Sequence, residues 1–443
     1  YDEWRKVLKG EAKILIGARS AIFAPMQSIG LIIIDEEHSD SYYQSDMPIY
    51  DAKVIAQFRA KWHQAPILLG SATPSIDSYY KAKNHDYKLL TLTKRALKSK
   101  LPTITIVDMK EEFIKGNKSI FSTALKEALE TRYKKHEQSL LLINRRGHAN
   151  FVLCRSCGEA IKYDHCDITM TYHHHDQSLK CHYCNHHIKV PKVCPNWQSP
   201  HIRYMGLGSE QVEETLKAMF EDAKIYRMDK DTTSEKHGHE KILAAFEKDG
   251  DFLVGTQMIS KGLDFDHVTL VGILSADMAL HIPNFNAKEE TFNLLTQVAG
   301  RSGRRKAQGD VIIQAYDASH PLLESVTQHD YISYVNRELA YREKALMPPF
   351  IDAKKITITH MSQNESYKKA TQIKMILKKE LPSSFKIIGP IKPKVARINK
   401  LYRTHILVKY TDEKPLITLL NAIHENFDYK LYGFIVTDDI NMI

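Results

Sequence analysis

"GLIIIDEEHSD" occupies residues 30–40, and its reading decides the fold. Leu31 and three isoleucines form a short apolar run that stops at Asp35, Glu36, Glu37 and His38. An apolar run of that length, closed by polar residues, predicts a short buried strand. An acid pair at the C-terminal edge of such a strand suits Mg²⁺. In nucleoside triphosphatases one acid holds the ion on the phosphates. A neighbouring acid then orients or deprotonates the attacking water. Taken alone, the stretch reads equally well as an acidic loop, so its company decides.

The chain has 443 residues, enough for two or more domains. Its hydrophobic share of 43% and charged share of 26% are those of ordinary globular proteins. The formal net charge of +9 tilts partners weakly toward polyanions. No apolar run approaches the roughly 20 residues of a membrane span, so no membrane association is expected and the location reads as cytoplasmic. The opening "YDEWRKVLKG" is charged, without an initiator methionine or signal peptide, and reads as a truncated start. All six cysteines fall between 154 and 194, and such clustering favours metal over disulfides.

Around the opening stretch, "EAKILIGARSAIFAP" and "APILLGSATPS" read as further short strands, and "DAKVIAQFRAKWHQ" as a helix. "SLLLINRRGHA", "DFLVGTQMISKGLDF", "VTLVGIL" and "GDVIIQAY" repeat the theme. The alternation predicts an α/β class with parallel sheets. A Cys/His-rich insert at 151–203 interrupts the second lobe, and the prolines of "MPPF" (347–350) mark a further boundary. "GSATPS" (70–75), "VGTQMISKGLDF" (254–265) and "QVAGRSGRR" (297–305) follow in order. In the last, Arg301 and Arg304 stand three apart in a basic loop. Such a loop is usually solvated, but phosphoryl transfer draws on arginines of this kind for roughly 10³–10⁵ in rate.

The order "GARSAIFAP", "DEEH", "GSATPS", "LLLINRRGHA", "VGTQMISKGLDF", "QVAGRSGR" resembles the superfamily 2 helicases. The cysteine insert between "NRRG" and "VGTQM" narrows the resemblance to the PriA family, over essentially the whole chain. What it implies is an ATP-dependent 3′→5′ DNA helicase of the replication-restart primosome, binding branched and single-stranded DNA and helping to load the replicative helicase. The implied fold is two RecA-like lobes, the first incomplete, with a zinc-binding insert and a small C-terminal α/β domain. The expected boundaries are 1–95 for the part of lobe 1, 96–150 and 204–346 for lobe 2, 151–203 for the insert and 347–443 for the last domain. Implied partners are single-stranded DNA-binding protein and primosome or helicase-loading proteins; a monomer is expected. The alternative from another class is a non-catalytic zinc-containing primosome scaffold that binds forked DNA and partner proteins.

By the same resemblance Asp35 and Glu36 are the Mg²⁺ and water-activating acids, and Gln297, Arg301 and Arg304 line the ATP. His38, Ser71 and Thr73 couple the lobes. Gly17, Arg19, Ser20, Thr256 and Gln257 touch DNA. The loop "HSDSYYQSDMPIYDAK" (38–53) carries Tyr42 and Tyr43; on composition it is a surface loop, and by the resemblance a DNA sensor. The phosphate-cradling Gly-x-x-x-x-Gly-Lys-Ser/Thr is absent from these residues, since "KGNKS" (115–119) lacks its glycine-lysine step. The resemblance places that loop upstream of Tyr1.

Two Cys-x-x-Cys knuckles are intact, Cys154/Cys157 and Cys181/Cys184. The family pattern has four knuckles holding two zincs, the first paired with the fourth and the second with the third. Here Tyr163 and Trp197 stand where cysteines are expected. That pattern leaves Cys154, Cys157 and Cys194 for one site and Cys166, Cys181 and Cys184 for the other. Structural zinc is four-coordinate, and His201 is the candidate to complete the first site, His165 or His182 the second. A single Cys₄ site from the intact knuckles is the rival, so two zincs are expected and one is the alternative.

Overall fold

The computed structural model describes the chain apart from residues 45–47, 95–100, 145–150, 164–167, 174–177, 181–185, 206–207, 230–231, 234–237, 257–258, 260–266, 282–283, 302–308, 394–395, 439 and 441–443. It divides into two compact units, Tyr1–Leu90 and Thr91–Ile443.

In the first unit the strand Ile32–Ile34 pairs in parallel with Ile67–Leu69. The helix Ala52–Trp62 lies between them in sequence, and Asp51 caps it by accepting from the Lys53 amide at 2.7 Å. Its buried stripe is Ala52, Ala56 and Ala60, small residues four apart that face one direction. The strand expected within "EAKILIGARSAIFAP" does not form. Residues 11–18 are irregular, with Ile14 and Ile16 strongly exposed, and Arg19–Phe23 makes a 3₁₀ turn. An apolar run becomes a strand only where another strand takes its backbone hydrogen bonds, and none pairs with it among the described residues.

The second unit is built on six parallel strands. In spatial order they are Ile225–Met228, Phe252–Gly255, Gln138–Ile143, Val268–Leu274, Asp310–Ala315 and Thr103–Asp108. Both faces must be covered in such a sheet, which is why its central strands are largely apolar. Gln138–Ile143 is buried throughout. Helices Thr123–Lys134 and Ser209–Met219 supply Leu125, Leu129, Val212 and Leu216 to one core with Leu141 and Val254. Gly272 is needed where it stands: a Cβ there would lie 2.5 Å from Leu141 Cδ2.

The insert forms an antiparallel sheet with Phe151–Cys154 paired to Ile202–Met205. It docks on the parallel-sheet layer through Phe151, Leu153 and Ala160 against Met109 and Tyr316. The Arg155 guanidinium lies 4.6 Å over the Phe113 ring.

The C-terminal region runs Asp352–His360, helix Gln363–Glu380, Lys386–Ile391, Leu401–Tyr410, helix Lys414–Glu425, Gly433–Thr437. Its four main strands are antiparallel, in spatial order second, third, first, fourth, and the short strand Arg397–Ile398 pairs with Leu401–Tyr410 off that path. This β-α-β-β-α-β arrangement is ferredoxin-like, a finer description than the small α/β domain expected. Both helices cover one face, with Ile356, Ile358, Ile406 and Val408 beneath them.

Candidate ATPase edge and cysteine centre

The three acids of "DEEH" differ in burial and in partners. The ladder ends where the Gly70 amide donates to the Ile34 carbonyl at 2.8 Å and the Glu37 amide to the Gly70 carbonyl at 3.0 Å. Between these bonds the chain turns sharply, with Glu36 at φ +47°, a conformation that costs a non-glycine residue energy and marks a constrained turn. Asp35 and Glu36 are exposed at the edge, whereas Glu37 is 1% exposed.

Glu37 is fully engaged. It accepts from the Ser75 amide at 2.6 Å, the Ser75 hydroxyl at 3.1 Å, the Ser78 hydroxyl at 3.0 Å and Lys53 Nζ at 3.4 Å. A buried carboxylate is tolerable only with such partners. It therefore ties the acidic turn to the N-terminus of helix Ile76–Lys83, directly after "GSATPS". His38 makes a second tie, its Nδ1 lying 2.7 Å from Ser71 Oγ and 3.5 Å from Glu36 Oε2. Ser71 Oγ in turn accepts from the Thr73 amide at 3.0 Å. His38, Ser71 and Thr73 thus form one connected set beside the acids. The Glu37 tie was not read from sequence: Glu37 and Ser75 are 38 residues apart, and no local pattern joins them.

The tyrosine loop reaches the same edge. Tyr42 Oη donates to the Asp35 carbonyl at 2.6 Å. Burial, then the charges of Asp35 and Glu36, holds its phenol above the usual range, so it remains a donor. Arg19 braces this loop, donating to the carbonyls of Ser41 at 3.2 Å and Tyr43 at 2.8 Å and to Gln44 Oε1 at 2.9 Å. Its guanidinium, read from sequence as a DNA contact, here lies on the loop. Gly17 and Ser20 are exposed, and a Cβ on Gly17 would meet the Ala21 side chain at 2.8 Å.

In the second unit Thr256 follows the strand Phe252–Gly255, and its amide donates to the Met228 carbonyl at 3.4 Å. Gln297 is half-buried in the helix Ala287–Ala299, and Arg301 follows that helix. Gln257 and Arg304 lie outside the described residues.

Cys154 ends a strand, Cys157 sits in the following turn, and Cys194 comes from a second turn; their sulfurs lie within 4.8 Å of one another. Cys157 and Cys194 Sγ are 3.7 Å apart. Zinc bound at about 2.3 Å to tetrahedral thiolates sets its sulfurs about 3.8 Å apart, so the cluster fits that ion. Burial opposes ionisation, but the Cys157 and Ser156 amides aimed at Cys154 Sγ bring that thiol below its ordinary range. Burial and the neighbouring thiols push Cys157 up to about 12. A cation relieves that conflict, since zinc takes thiolates. His201, the candidate fourth ligand, does not belong to the cluster; its ring packs edge-on against Phe113, centroids 5.1 Å apart. Cys166, Cys181, Cys184, His165 and His182 fall outside the described residues, as do the second site and the single Cys₄ alternative. Tyr163 contributes a strand residue, and Trp197 is 66% exposed.

No helix among the described residues is long and apolar enough to cross a membrane. The family description "PriA DNA helicase Cys-rich region (CRR) domain" matches residues 164–189, and "Helicase conserved C-terminal domain" matches 202–306. A "Structure of RecG bound to three-way DNA junction" aligns with a TM-score of 0.41 at 14% identity, covering 76% of this chain and 34% of that one, too loosely to carry an argument. Replication restart protein PriA of Bacillus subtilis is 47% identical over 97% of this chain and 54% of its own. That of Synechocystis is 40% identical over 100% and 54%. The chain spans about half the length of these curated relatives. On this similarity, which runs through the parallel sheet, the cysteine centre and the C-terminal region alike, the chain belongs to the PriA family.

Proposed function

We propose that the chain is the motor edge, zinc insert and C-terminal domain of an ATP-dependent 3′→5′ DNA helicase that acts in replication restart on branched forks. The observation that carries this reading is the split of the acids. Glu37 is spent holding the turn, while Asp35 and Glu36 are left at the strand edge. That division suits one carboxylate to Mg²⁺ on ATP and the next to the attacking water. Gln297, Arg301 and Arg304 act on the same nucleotide from the second lobe, and His38, Ser71 and Thr73 carry the state of the acids onward. Gly17, Ser20, Thr256 and Gln257 face DNA. Arg19 acts there indirectly, by holding the Tyr42–Tyr43 loop that stacks on bases. Two zincs hold the insert, the second through Cys166, Cys181 and Cys184. Single-stranded DNA-binding protein and helicase-loading proteins are the partners.

The test is turnover. These 443 residues hold no phosphate-cradling loop, so alone they should hydrolyse no ATP above background, with or without DNA. In a protein extended upstream through such a loop, DNA should stimulate hydrolysis. Glu36→Gln should then lower kcat at least about a hundredfold, as loss of a general base does, and leave DNA binding intact. An unchanged rate in Glu36→Gln refutes the assignment of the acids, and DNA-stimulated hydrolysis by the 443-residue chain refutes its need for an upstream phosphate cradle.

A further inference from the structure

The turns at Cys154 and Cys194 share a backbone but not a ligand count. After Cys154, the Gly158 amide donates to the Cys154 carbonyl at 2.8 Å, and the Cys154 amide donates to the Glu159 carbonyl at 3.0 Å. After Cys194, the Gln198 amide donates to the Cys194 carbonyl at 2.8 Å, and the Cys194 amide donates to the Ser199 carbonyl at 2.8 Å. The fourth residue after each cysteine is left-handed, Gly158 at φ +78° and Gln198 at φ +52°. Gln198 holds a conformation that favours glycine, so the second turn is built as a knuckle despite its sequence. In the first turn the third residue after the cysteine is Cys157, whose sulfur joins the cluster. In the second it is Trp197. The tryptophan does not plug the position its counterpart fills: Trp197 is 66% exposed. Among the described residues no other His, Cys, Asp or Glu joins the three sulfurs. Cys157 is only half-buried, so solvent reaches the cluster on its side.

We propose that the Cys154–Cys157–Cys194 centre binds zinc through three thiolates and leaves its fourth vertex to a small monodentate donor from solution. The inference rests on the zinc reading above. Water fills such a vertex by default, and a low-molecular-weight thiol replaces it. The thiol sulfur bonds to the metal as thiolate, the water leaves, and the thiol proton passes to solvent. Three-ligand zinc with an exchangeable fourth position is the arrangement of sites that bind ligands, whereas structural sites are closed.

The experiment loads the 443-residue chain with Co²⁺ and titrates it with 2-mercaptoethanol. The sulfur-to-cobalt band of this centre should rise by about a third as three thiolates become four. Trp197→Cys should show that band without added thiol and lose the corresponding response. It should also release zinc to a chromogenic chelator at least about tenfold more slowly, because a direct ligand is worth no less than an outer-shell partner. Circular dichroism of both proteins checks that the fold is kept. An equal thiol response in Trp197→Cys overturns the proposal, because the response then arises elsewhere. An unresponsive parent also overturns it, because the fourth vertex is then filled by the chain itself. A chain that binds neither metal in elemental analysis fails at the zinc reading itself and takes this inference with it.

Discussion

The strands Ile32–Ile34 and Gln138–Ile143 carry almost the same message and meet different fates. Both are runs of large aliphatic residues, "LIII" and "LLLI". In the second unit Leu140, Leu141 and Leu142 are wholly buried, flanked by parallel neighbours on both edges. In the first unit Ile34 is buried but Ile33 is 61% exposed, and the ladder has one partner strand among the described residues. Burial is therefore a property of the layers around a strand and not of the strand's own apolarity. The functional edge of the first unit is held by something else, the polar ties from Glu37, His38, Tyr42 and Arg19.

The largest expected effect sharpens that contrast from the side of the core. Leu141 pairs with Val254 and Gly272 and fills the space that the missing Cβ of Gly272 leaves. Leu141→Ala should cost about 2–5 kcal/mol, from lost burial plus a cavity that a rigid parallel sheet cannot close. Urea unfolding, followed through amide exchange of residues 138–143, reads it. A cost below about 1 kcal/mol would show that this layer collapses freely.

The next effect tests whether polar ties do in the first unit what packing does in the second. Glu37→Ala removes the acceptor from the Ser75 amide, both hydroxyls and Lys53. Leaving buried donors unsatisfied costs about 1–3 kcal/mol, and more when one is charged. Glu37→Gln keeps one acceptor oxygen and should recover part of the loss. Amide exchange at Ser75 and Ser78 should quicken in Glu37→Ala while exchange in the second unit stays unchanged. If exchange there stays slow, the tie contributes nothing and the acids are held by the sheet alone.

What was legible in the sequence follows the same division. The acids at the end of their strand, the Cys154/Cys157 knuckle and the apolar runs of the second-unit strands are local patterns, which is why they could be read at all. The Glu37–Ser75 bond and the Arg19 brace join residues 38 and up to 25 apart, and nothing local announces them. The ferredoxin-like strand order is likewise a matter of which strands meet, which propensity does not encode. Exposed Ile14 and Ile16 mark the opposite failure: an apolar signal was present, and the partner strand that would have made it a strand was not among the described residues. Trp197 shows a third case, where the knuckle backbone survives without its second cysteine. A sequence reading sees only the lost ligand.

The smallest expected effect decides whether the comparison stands. Ile33 pairs with Leu68 across the two-stranded ladder, and both side chains are exposed, Ile33 at 61% and Leu68 at 44%. Ile33→Thr keeps the β-branch that a strand favours and removes apolar surface that is already in water. The change should therefore alter the stability of the first unit by no more than about 0.5 kcal/mol. The Gly70 amide, which donates to the Ile34 carbonyl one residue on, reports the ladder directly by exchange. Its protection should hold. A loss of about 2 kcal/mol, as for burying and then removing an isoleucine, would mean that this face is covered in solution. The two strands would then be alike after all, and the polar ties would be an addition to the packing and not its substitute.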